Sequence, residues 1–417
     1  MRRVDVLESL YLDFDGFFAS VMQQAIPALR GKPVGIIPFE TNRPDSTSVI
    51  ACSKEAKRYG VQNVMRVPDA RALCPNLILV PQRPDYFRRA HNTLLNEIAC
   101  EIPIETVKSI DELCCRLDTA AANDPQGLSD RLKARLAANV GPFITCSIGF
   151  AANRQLAKIA CKIDKPNGTT IWHPADMPGP LRALPLTDIP GIGRRMEVRL
   201  NRAGIWDVSD LLDTQPKQLR QLWGSVTGER MWHALHGYHI TSSPTRRGMF
   251  GHGRVLPPDA RTPNKARECA RFLLTKAARR MRREHFYARG LYLSLKIQRG
   301  GTWGATRRLP IVNDDHACLE ALAVLWRKVE RELPRSVSFK QVGTTLFDLV
   351  PATARQLDLF NDDDARRQKW EAITHAIDTL NMKHGKRVVT IGPWNPPGTF
   401  TGGKIAFTRI PSAEDFL

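Results

Sequence analysis

Strand-like and helix-like segments alternate along the first 170 residues of the chain. Short apolar runs such as SLYLDFD, KPVGIIP and FITCSIGFA have the length and composition of buried strands. ETVKSID and ELCCRLD have the pattern of a strand pair, and a helix is expected to begin at Phe17. Longer segments between them, DYFRRAHNTLLNEIA and DRLKARLAAN, place apolar residues at helical spacing. The pattern predicts an α/β core of mixed topology.

The later part of the chain has a different organisation. Short helices and turns are predicted between Trp172 and Tyr238, and the polar linker HITSSPTRRG leads into an α+β segment that ends near Val350. PATARQLDLFNDDDARRQ is predicted to be flexible. WEAITHAIDTLNMKHGKRV is predicted to form an amphipathic helix with one apolar face, formed by Trp370, Ile373, Ile377 and Leu380. The chain is therefore expected to contain about three domains.

Composition narrows the class of protein. The 417 residues include 42% hydrophobic positions but no run of about 18 apolar residues, and MRRVDVLESL lacks a signal-peptide core. The nine cysteines form no C-x-x-C pair, so we expect neither a zinc site nor a disulfide framework. We expect a cytoplasmic protein with no membrane contact.

Positive charge is concentrated in one region. Most of the formal net charge of +19 lies between Thr245 and Pro310. This segment contains 17 Lys and Arg residues but only 3 acidic residues. An Arg-rich helix can simply present a solvated face, but the neighbouring strand and loops are also basic. A nucleic-acid backbone is the favoured partner. The candidate contacts on this helix and strand are Arg280, Arg282, Arg283 and Lys296.

Two acidic pairs occupy predicted strand ends. Asp13 and Asp15 end an apolar strand, where alternation would put them on one face, and Asp111 and Glu112 lie between the two strands of the predicted pair. Each pair alone is commonly a solvated turn. Together they suggest carboxylates that hold two Mg²⁺ ions for phosphoryl transfer. Cations for a triphosphate could come from Lys54, Lys57, Arg58 and Lys165, although KPNG is also a good β-turn and helical lysines are commonly solvated.

Two further motifs suggest binding. Pro190-Gly191-Ile192-Gly193, followed by Arg194, has the helix-hairpin-helix pattern, in which glycines let backbone amides approach a phosphate. An ordinary turn between helices is the alternative. The peptide Gln356-Leu357-Asp358-Leu359-Phe360 places three apolar side chains in a polar stretch, so it either docks on a partner or packs back on its own domain.

These motifs resemble those of the Y-family translesion DNA polymerases, of the polymerase IV and polymerase V catalytic-subunit types, over almost the whole chain. YLDFDGFFASV resembles the first catalytic motif, SIDEL the second, SIGFAANRQLAKIACKIDKPNG the third and DIPGIG the thumb hairpin, in the same order. The resemblance implies a right-hand polymerase with five parts. They are a ferredoxin-like palm (1–19 and 83–172), small fingers (20–82), a helix-hairpin-helix thumb (173–240), an α+β little finger (245–350) and a clamp-binding peptide with a C-terminal tail (351–417).

The resemblance also implies residue roles. Asp13, Asp111 and Glu112 would be the catalytic metal ligands, with the backbone carbonyl of Phe14 as a further ligand. Phe18 would be the steric gate against ribonucleotides, and Phe17 would lie in the same pocket, although a core phenylalanine is the alternative for both. The triphosphate would be contacted by Lys54, Lys57 and Lys165.

QLDLF is similar to the peptide that binds the sliding clamp, the beta subunit of the replicative polymerase. Such docking raises the effective concentration at the primer end.

The chain departs from the family pattern at several positions. Lys54 stands in place of a tyrosine, Lys57 in place of an arginine, Met22 in place of a glutamate and Cys114 in place of an aromatic residue. ETNRPDSTS resembles an expanded fingers loop. The tail resembles the polymerase V type, whereas KPNG and the thumb resemble the polymerase IV type.

The leading hypothesis is therefore a template-directed DNA polymerase of low fidelity that adds dNTPs to primer-template DNA. It would bypass lesions in DNA repair or the SOS response. SOS accessory proteins are possible partners. The alternatives are a non-catalytic scaffold that binds DNA and the clamp, and a nuclease or phosphodiesterase using the same two-metal chemistry.

Overall fold

The computed structural model describes residues 2–40, 43–241, 246–355 and 364–392. They form two compact units, which divide between residues 243 and 244. This division lies in the gap between the predicted thumb and little finger, and the finer domain boundaries stay predictions. Within the described ranges, no helix has the length and apolar composition needed to cross a membrane.

The first unit is built from ten strands and twelve helices among its described residues. The strands are β1 (Ser9–Phe14), β2 (Val34–Ile37), β3 (Ser48–Val49), β4 (Ala51–Cys52), β5 (Met65–Arg66), β6 (Ile78–Pro81), β7 (Ile104–Val107), β8 (Glu112–Arg116), β9 (Cys146–Ala151) and β10 (Thr169–Ile171). The helices are α1 (Phe17–Ala25), α2 (Lys54–Arg58), α3 (Val67–Leu73), α4 (Pro84–Ala99), α5 (Thr119–Asn123), α6 (Pro125–Asn139), α7 (Arg154–Ile163), α8 (Gly179–Arg182), α9 (Arg194–Asn201), α10 (Val208–Asp213), α11 (Pro216–Trp223) and α12 (Val226–Leu235). The predicted mixed α/β core is confirmed.

The largest sheet of this unit has the order β10-β9-β1-β8-β7, with only β10 and β9 parallel. Helices cover both faces of its central strand. Leu10 and Leu12 face the core shared with α1, α4 and α6, while Tyr11 belongs to the opposite core, which includes α7. Because both faces are buried, β1 is a nearly continuous apolar run.

Glycine brings α7 unusually close to this sheet. A Cβ at Gly149 in β9 would lie 2.2 Å from the carbonyl oxygen of Ala157 in α7. The side chain of Asn153 begins this helix by accepting a hydrogen bond from the Leu156 amide at 3.0 Å. It also donates to the carbonyl of Ala234 in α12 at 2.8 Å, so α7 is fixed between the sheet and the predicted thumb.

The predicted fingers region contains a second, small sheet of order β4-β2-β6 and a two-stranded β3-β5 pair. Its separate apolar core includes Val49, Val61 and Val67. In α2, the side chain of Ser53 caps the helix by accepting from the Ala56 amide at 3.2 Å. The lysines of α2 are therefore carried on a short, capped helix.

The second unit packs helices on one face of an antiparallel sheet of order β11-β14-β12-β13. Its elements are β11 (Met249–Val255), α13 (Pro263–Arg283), β12 (Phe286–Ile297), β13 (Thr302–Val312), α14 (Asp315–Glu332), β14 (Phe339–Pro351) and α15 (Asp364–Lys383). Leu291, Leu293 and Leu295 of β12 face the helices, whereas Tyr292 and Lys296 are exposed. The alternation predicted for this strand is confirmed.

Helix α15 differs in part from its prediction. It begins at Asp364, inside the stretch predicted to be flexible, and ends at Lys383. Leu380 is 42% exposed, whereas Thr374, Ile377 and Asn381 are buried. The sequence groups Leu380 with Ile377 on one apolar face, but the structure buries Ile377 and exposes Leu380, because α15 docks partly through polar residues rather than through a continuous apolar stripe.

Candidate active site

The sheet brings the two acidic segments together. Asp13 in β1 is directly opposite Glu112 in β8, and the Phe14 amide donates to the Asp111 carbonyl at 2.8 Å. Asp111 belongs to the turn between β7 and β8, where its carboxylate accepts a hydrogen bond from Ser109. Asp13 and the acidic pair Asp111–Glu112, almost 100 residues later in the chain, are therefore brought to the same end of the sheet.

Lysine side chains bind two of these carboxylates. Lys165 forms an ion pair with Asp13. Lys158 of α7 donates to both oxygens of Glu112, each at 2.9 Å, and the Tyr11 hydroxyl donates to one of them at 2.9 Å. Sequence reasoning missed Lys158 and Tyr11. Alternation along β1 puts Tyr11 on the face of Asp13, which is the signal that could have identified it.

The protonation of the site follows from burial and charge. Burial raises the pKa of Asp13 to about 6, and the nearby Asp111 and Glu112 carboxylates act in the same direction, although Lys165 opposes them. Burial also acts to raise the pKa of Glu112, but the hydrogen bond and charge of Lys158 outweigh it, so the pKa of Glu112 is lowered. Burial and the Glu112 carboxylate raise the pKa of Tyr11. The phenol therefore stays protonated and acts as a hydrogen-bond donor to Glu112.

The donor set suits a hard divalent cation, since Mg²⁺ prefers carboxylate oxygens supplemented by substrate phosphates. Within the ranges that the structure describes, however, no three acidic, His or Cys side chains are gathered closely enough to hold one ion. Asp13 and Glu112 are instead each paired with an ammonium group, that of Lys165 and that of Lys158. The chemistry of the carboxylates suits a divalent cation, but their arrangement in the described residues does not gather three of them around one ion.

Asp15 is not part of this carboxylate group. It is buried and accepts hydrogen bonds from the Thr145 and Ser147 hydroxyls and from the Asn167 amide, at 3.0, 2.9 and 2.8 Å. The expectation that Asp13 and Asp15 share a strand face was wrong because β1 ends at Phe14. Asp15 instead ties the KPNG turn to the sheet.

Three phenylalanines follow Asp13 closely along the chain, at positions 14, 17 and 18. Phe17 is buried, with its ring centroid 5.9 Å from that of Phe14, as expected for a core residue. Phe18 is only partly buried, and its centroid lies 4.6 Å from that of Phe87. The partial exposure of Phe18 is compatible with a gate, and its role stays a prediction. The Phe14 carbonyl likewise stays a predicted metal ligand.

The predicted phosphate-contacting lysines lie in different settings. Lys57 is exposed on α2. Lys54, one turn earlier, donates to the Thr145 hydroxyl at 3.4 Å, beside the hydrogen bonds of Asp15. Burial acts to lower the pKa of Lys165, but Asp13 raises it, so this lysine is cationic. Of these three lysines, Lys165 is the one seen in direct contact with a predicted metal ligand, Asp13.

The glycine-rich hairpin has the predicted shape, although its first arm is only one 3₁₀ turn, Leu186–Asp188. Gly191 has a φ of 106°, which glycine adopts without strain. Gly193 caps the start of α9, and Gly193 and Arg194 are exposed. The Gln155 side chain donates to the Pro190 carbonyl at 3.0 Å, which attaches the hairpin to α7.

The basic candidates of the second unit divide into buried and exposed residues. Arg282 donates to Asp315 and Asp378 at 2.8 Å, and its side chain is 11% exposed. Arg280 is also buried and lies 3.1 Å from a ring nitrogen of His252. The predicted DNA contacts of Arg280 and Arg282 are therefore corrected: these cations pack inside their own unit.

Arg283 and Lys296 are exposed and stay candidates for DNA contact. The predicted clamp peptide, Gln356, Leu357, Asp358, Leu359 and Phe360, lies outside the described residues.

Comparison with known proteins gives a consistent result. The impB/mucB/samB family matches residues 12–162, the C-terminal domain of that family matches residues 247–359, and the thumb domain of DNA polymerase iota matches residues 187–238. DNA polymerase IV of Moorella thermoacetica is 33% identical over 390 residues, covering 91% of this chain and 94% of that protein. DNA polymerase IV of Pelotomaculum thermopropionicum is 30% identical, covering 92% and 95% respectively.

The fold is also similar to solved structures. A chimera of the Y-family DNA polymerases Dbh and Dpo4 has a TM-score of 0.68 at 22% identity, covering 82% of this chain and 99% of that one. An insertion ternary complex of Dbh DNA polymerase has a TM-score of 0.53 at 23% identity, with the same coverage.

Proposed function

This chain belongs to the Y family of translesion DNA polymerases, and from that premise we propose that Asp13, Asp111 and Glu112 hold the divalent ions of its nucleotidyl-transfer reaction. The observation that carries the proposal is the register between β1 and β8, which sets Asp13 opposite Glu112 beside the Asp111 turn. Lys165 adjoins this group, as a contact for an incoming triphosphate requires. All three acids are present, so no observation favours the scaffold alternative.

Two Mg²⁺ ions, when bound, would lower the pKa of the primer 3′-hydroxyl and neutralise charge on the departing pyrophosphate. The protein's own residues prepare this chemistry. Asp13 and Glu112 would supply oxygen ligands from two paired strands and Asp111 from the turn before β8, so the backbone sets their spacing. Lys165, with Lys54 and Lys57 from α2, would neutralise the triphosphate, and the Phe18 ring would exclude a 2′-hydroxyl from the sugar pocket.

The test is primer extension with each dNTP in Mg²⁺. Asp111→Asn and Glu112→Gln, separately and together, should reduce the extension rate by at least about a thousandfold, because each variant removes a metal ligand without changing side-chain size. Glu105→Gln on β7 is the matched control and should extend primers normally. Undiminished extension by the double variant would refute the assignment, and shortening of the labelled primer would favour a nuclease.

DNA binding would rest on charge rather than on base sequence. Gly191 and Gly193, the exposed glycines of the hairpin, and Arg194 would contact one phosphate backbone through amides and a guanidinium group. On the second unit, Lys296 and Arg283 would contribute further phosphate contacts. Affinity for primer-template DNA should fall steeply with salt and vary little with sequence.

Clamp docking remains part of the proposal. Deletion of residues 356–360 should leave distributive synthesis intact and reduce synthesis stimulated by the clamp, and equal stimulation of both proteins would contradict it. Lesion bypass at low fidelity, SOS accessory partners and action in the cytoplasm are proposed from family membership. Extension across a panel of lesions in gapped DNA, with and without the clamp, would test bypass directly.

A further inference from the structure

The KPNG turn, residues 165–168, has a tightly specified backbone. Asn167 has a φ of 63°, a left-handed conformation that asparagine adopts more readily than most residues. A Cβ at Gly168 would lie 1.7 Å from the carbonyl oxygen of Asp164, so a larger residue would not fit without a backbone shift. Lys165, which the proposed function assigns to the triphosphate, therefore stands on a turn of one defined shape.

Two oppositely charged side chains hold this turn at a single residue. The Asn167 amide donates to the carboxylate of Asp15 at 2.8 Å, and the Asn167 carbonyl accepts from the ammonium group of Lys133 at 2.6 Å. Hydrogen bonds that involve a charged group are roughly twice as strong as those between neutral groups. Both polar groups of the Asn167 main chain, two residues after Lys165, are thus held by charged partners.

Asp15 and Lys133 attach the turn to two different strands. The Asp15 carboxylate is only 4% exposed and also accepts from the Ser147 hydroxyl of β9 at 2.9 Å and from the Thr145 hydroxyl, just before β9, at 3.0 Å. Lys133 lies on α6 and donates in addition to the Thr169 hydroxyl of β10 at 2.8 Å. The position of the turn is therefore set by side chains that are themselves fixed to the sheet.

The same carboxylate is connected to a second lysine. Lys54 of α2 donates to the Thr145 hydroxyl at 3.4 Å, and that hydroxyl donates to Asp15. Two of the three lysines proposed to contact the triphosphate are thus linked to Asp15. Lys54 is linked through one hydroxyl, and Lys165 is linked through the backbone of its turn.

We propose that Asp15 and Lys133 are positioning residues for the incoming nucleotide, which fix the KPNG turn so that Lys165 meets the triphosphate at one place. The inference rests on the proposed function and deepens it. Neither residue needs to touch the nucleotide, because each acts through the backbone of Asn167. A turn that loses one of these bonds must be ordered when the nucleotide binds, and that ordering lowers affinity. The loss should appear in dNTP affinity rather than in the maximal rate of extension.

The experiment is single-turnover primer extension by the full chain over a range of dNTP concentrations, which separates dNTP affinity from the maximal rate. Lys133→Met removes the ammonium group and keeps the length of the side chain. It should weaken dNTP affinity about tenfold, the effect of losing one hydrogen bond to a charged group, and change the maximal rate by less than about twofold. Lys133→Arg retains the charge and the donors and should restore most of the affinity. The matched control is Lys162→Met, which removes an exposed cation three residues before Lys165 and should change neither quantity.

A double-mutant cycle distinguishes positioning from general support of the fold. Lys165→Met should itself weaken dNTP affinity, as the proposed function requires. In the Lys165→Met background, adding Lys133→Met should change the affinity by less than about twofold, because the lysine that the turn positions is gone. Asp15→Asn removes the other charge and should weaken affinity at least as much as Lys133→Met, since it also disturbs the link to Lys54.

Unchanged dNTP affinity in Lys133→Met would overturn the inference and leave the proposed function standing. An equal loss of affinity from Lys133→Met with and without Lys165 would do the same. Circular dichroism checks that the variant is folded, and if it is not, Asp15→Asn applies the same cycle from the other side of the turn. Unchanged dNTP affinity in Lys165→Met, or a wild type that extends no primer, would overturn both the inference and the assigned role of Lys165.

Discussion

Replacing Arg282 should destabilise the second unit without weakening DNA binding. The side chains of Arg282, Asp315 and Asp378 are only 11%, 11% and 17% exposed, and the guanidinium group joins the end of α13 to the start of α14 and to the middle of α15. Arg282→Met would leave two buried carboxylates without their shared cation. Breaking a buried ion pair in this way costs about 3–5 kcal/mol. That cost corresponds to a roughly hundredfold or larger increase in the equilibrium constant for local opening of α15.

Hydrogen exchange measured by mass spectrometry is the suitable assay, because opening of α15 can be followed in the intact protein. Peptides from α15 should exchange roughly a hundredfold faster in Arg282→Met, and adding Asp378→Asn should restore part of the protection. The control is Lys296→Met on the exposed face of β12. It should leave exchange unchanged and reduce the salt dependence of DNA binding by about one phosphate contact. Unchanged protection of α15 with a flatter salt dependence in Arg282→Met would refute the reasoning.

Three further predictions concern the first unit. The pKa of buried His91, whose ring nitrogen lies 2.7 Å from the Ile110 carbonyl oxygen, is lowered by burial. At acidic pH the unfolded chain therefore takes up a proton that the folded chain does not. The free energy of unfolding should fall by up to about 1.4 kcal/mol per pH unit below about pH 6.5. Thermal unfolding of His91→Gln should show less of this loss. Gly149→Ala should cost about 1–3 kcal/mol or more in denaturant unfolding because its methyl group meets the α7 backbone, whereas Gly179→Ala, with open space around it, should cost far less. Phe18→Ala should raise ribonucleotide incorporation relative to deoxynucleotides by about 10- to 200-fold in single-nucleotide extension, and unchanged selectivity would show that another residue is the gate.

Much of the first unit could be predicted because its strands are short, apolar and bounded by turn residues. The predicted strands SLYLDFD, ETVKSID and ELCCRLD overlap the observed β1, β7 and β8, although each observed strand is shorter and β7 already ends at Val107. The pairing of β1 with β8, which sets Asp13 opposite Glu112, is an observation of the structure. From the sequence, the proximity of the acids is expected only from their shared chemistry and from the family resemblance.

The lysine and arginine contacts could not be predicted in the same way. The partner of Lys158 depends on the angle at which α7 crosses the sheet, and Gly149 sets that approach through a contact that periodicity does not reveal. Arg282 has the local pattern of a solvated or DNA-binding residue. Its burial depends on Asp378, 96 residues later in the chain, so local sequence carries no signal of it.

Helix α15 follows the last strand of the second unit, beyond residue 359, where the family match ends. A shortened protein that stopped there would lose Glu371, which pairs with Arg355 at 2.9 Å, together with Asp378. Arg282 and Arg355 would stay packed in the second unit, and each would have lost a carboxylate that neutralises it. Loss of activity in such a truncated polymerase would therefore include damage to the domain itself, and evolutionary change in the tail should be constrained by folding as well as by partners.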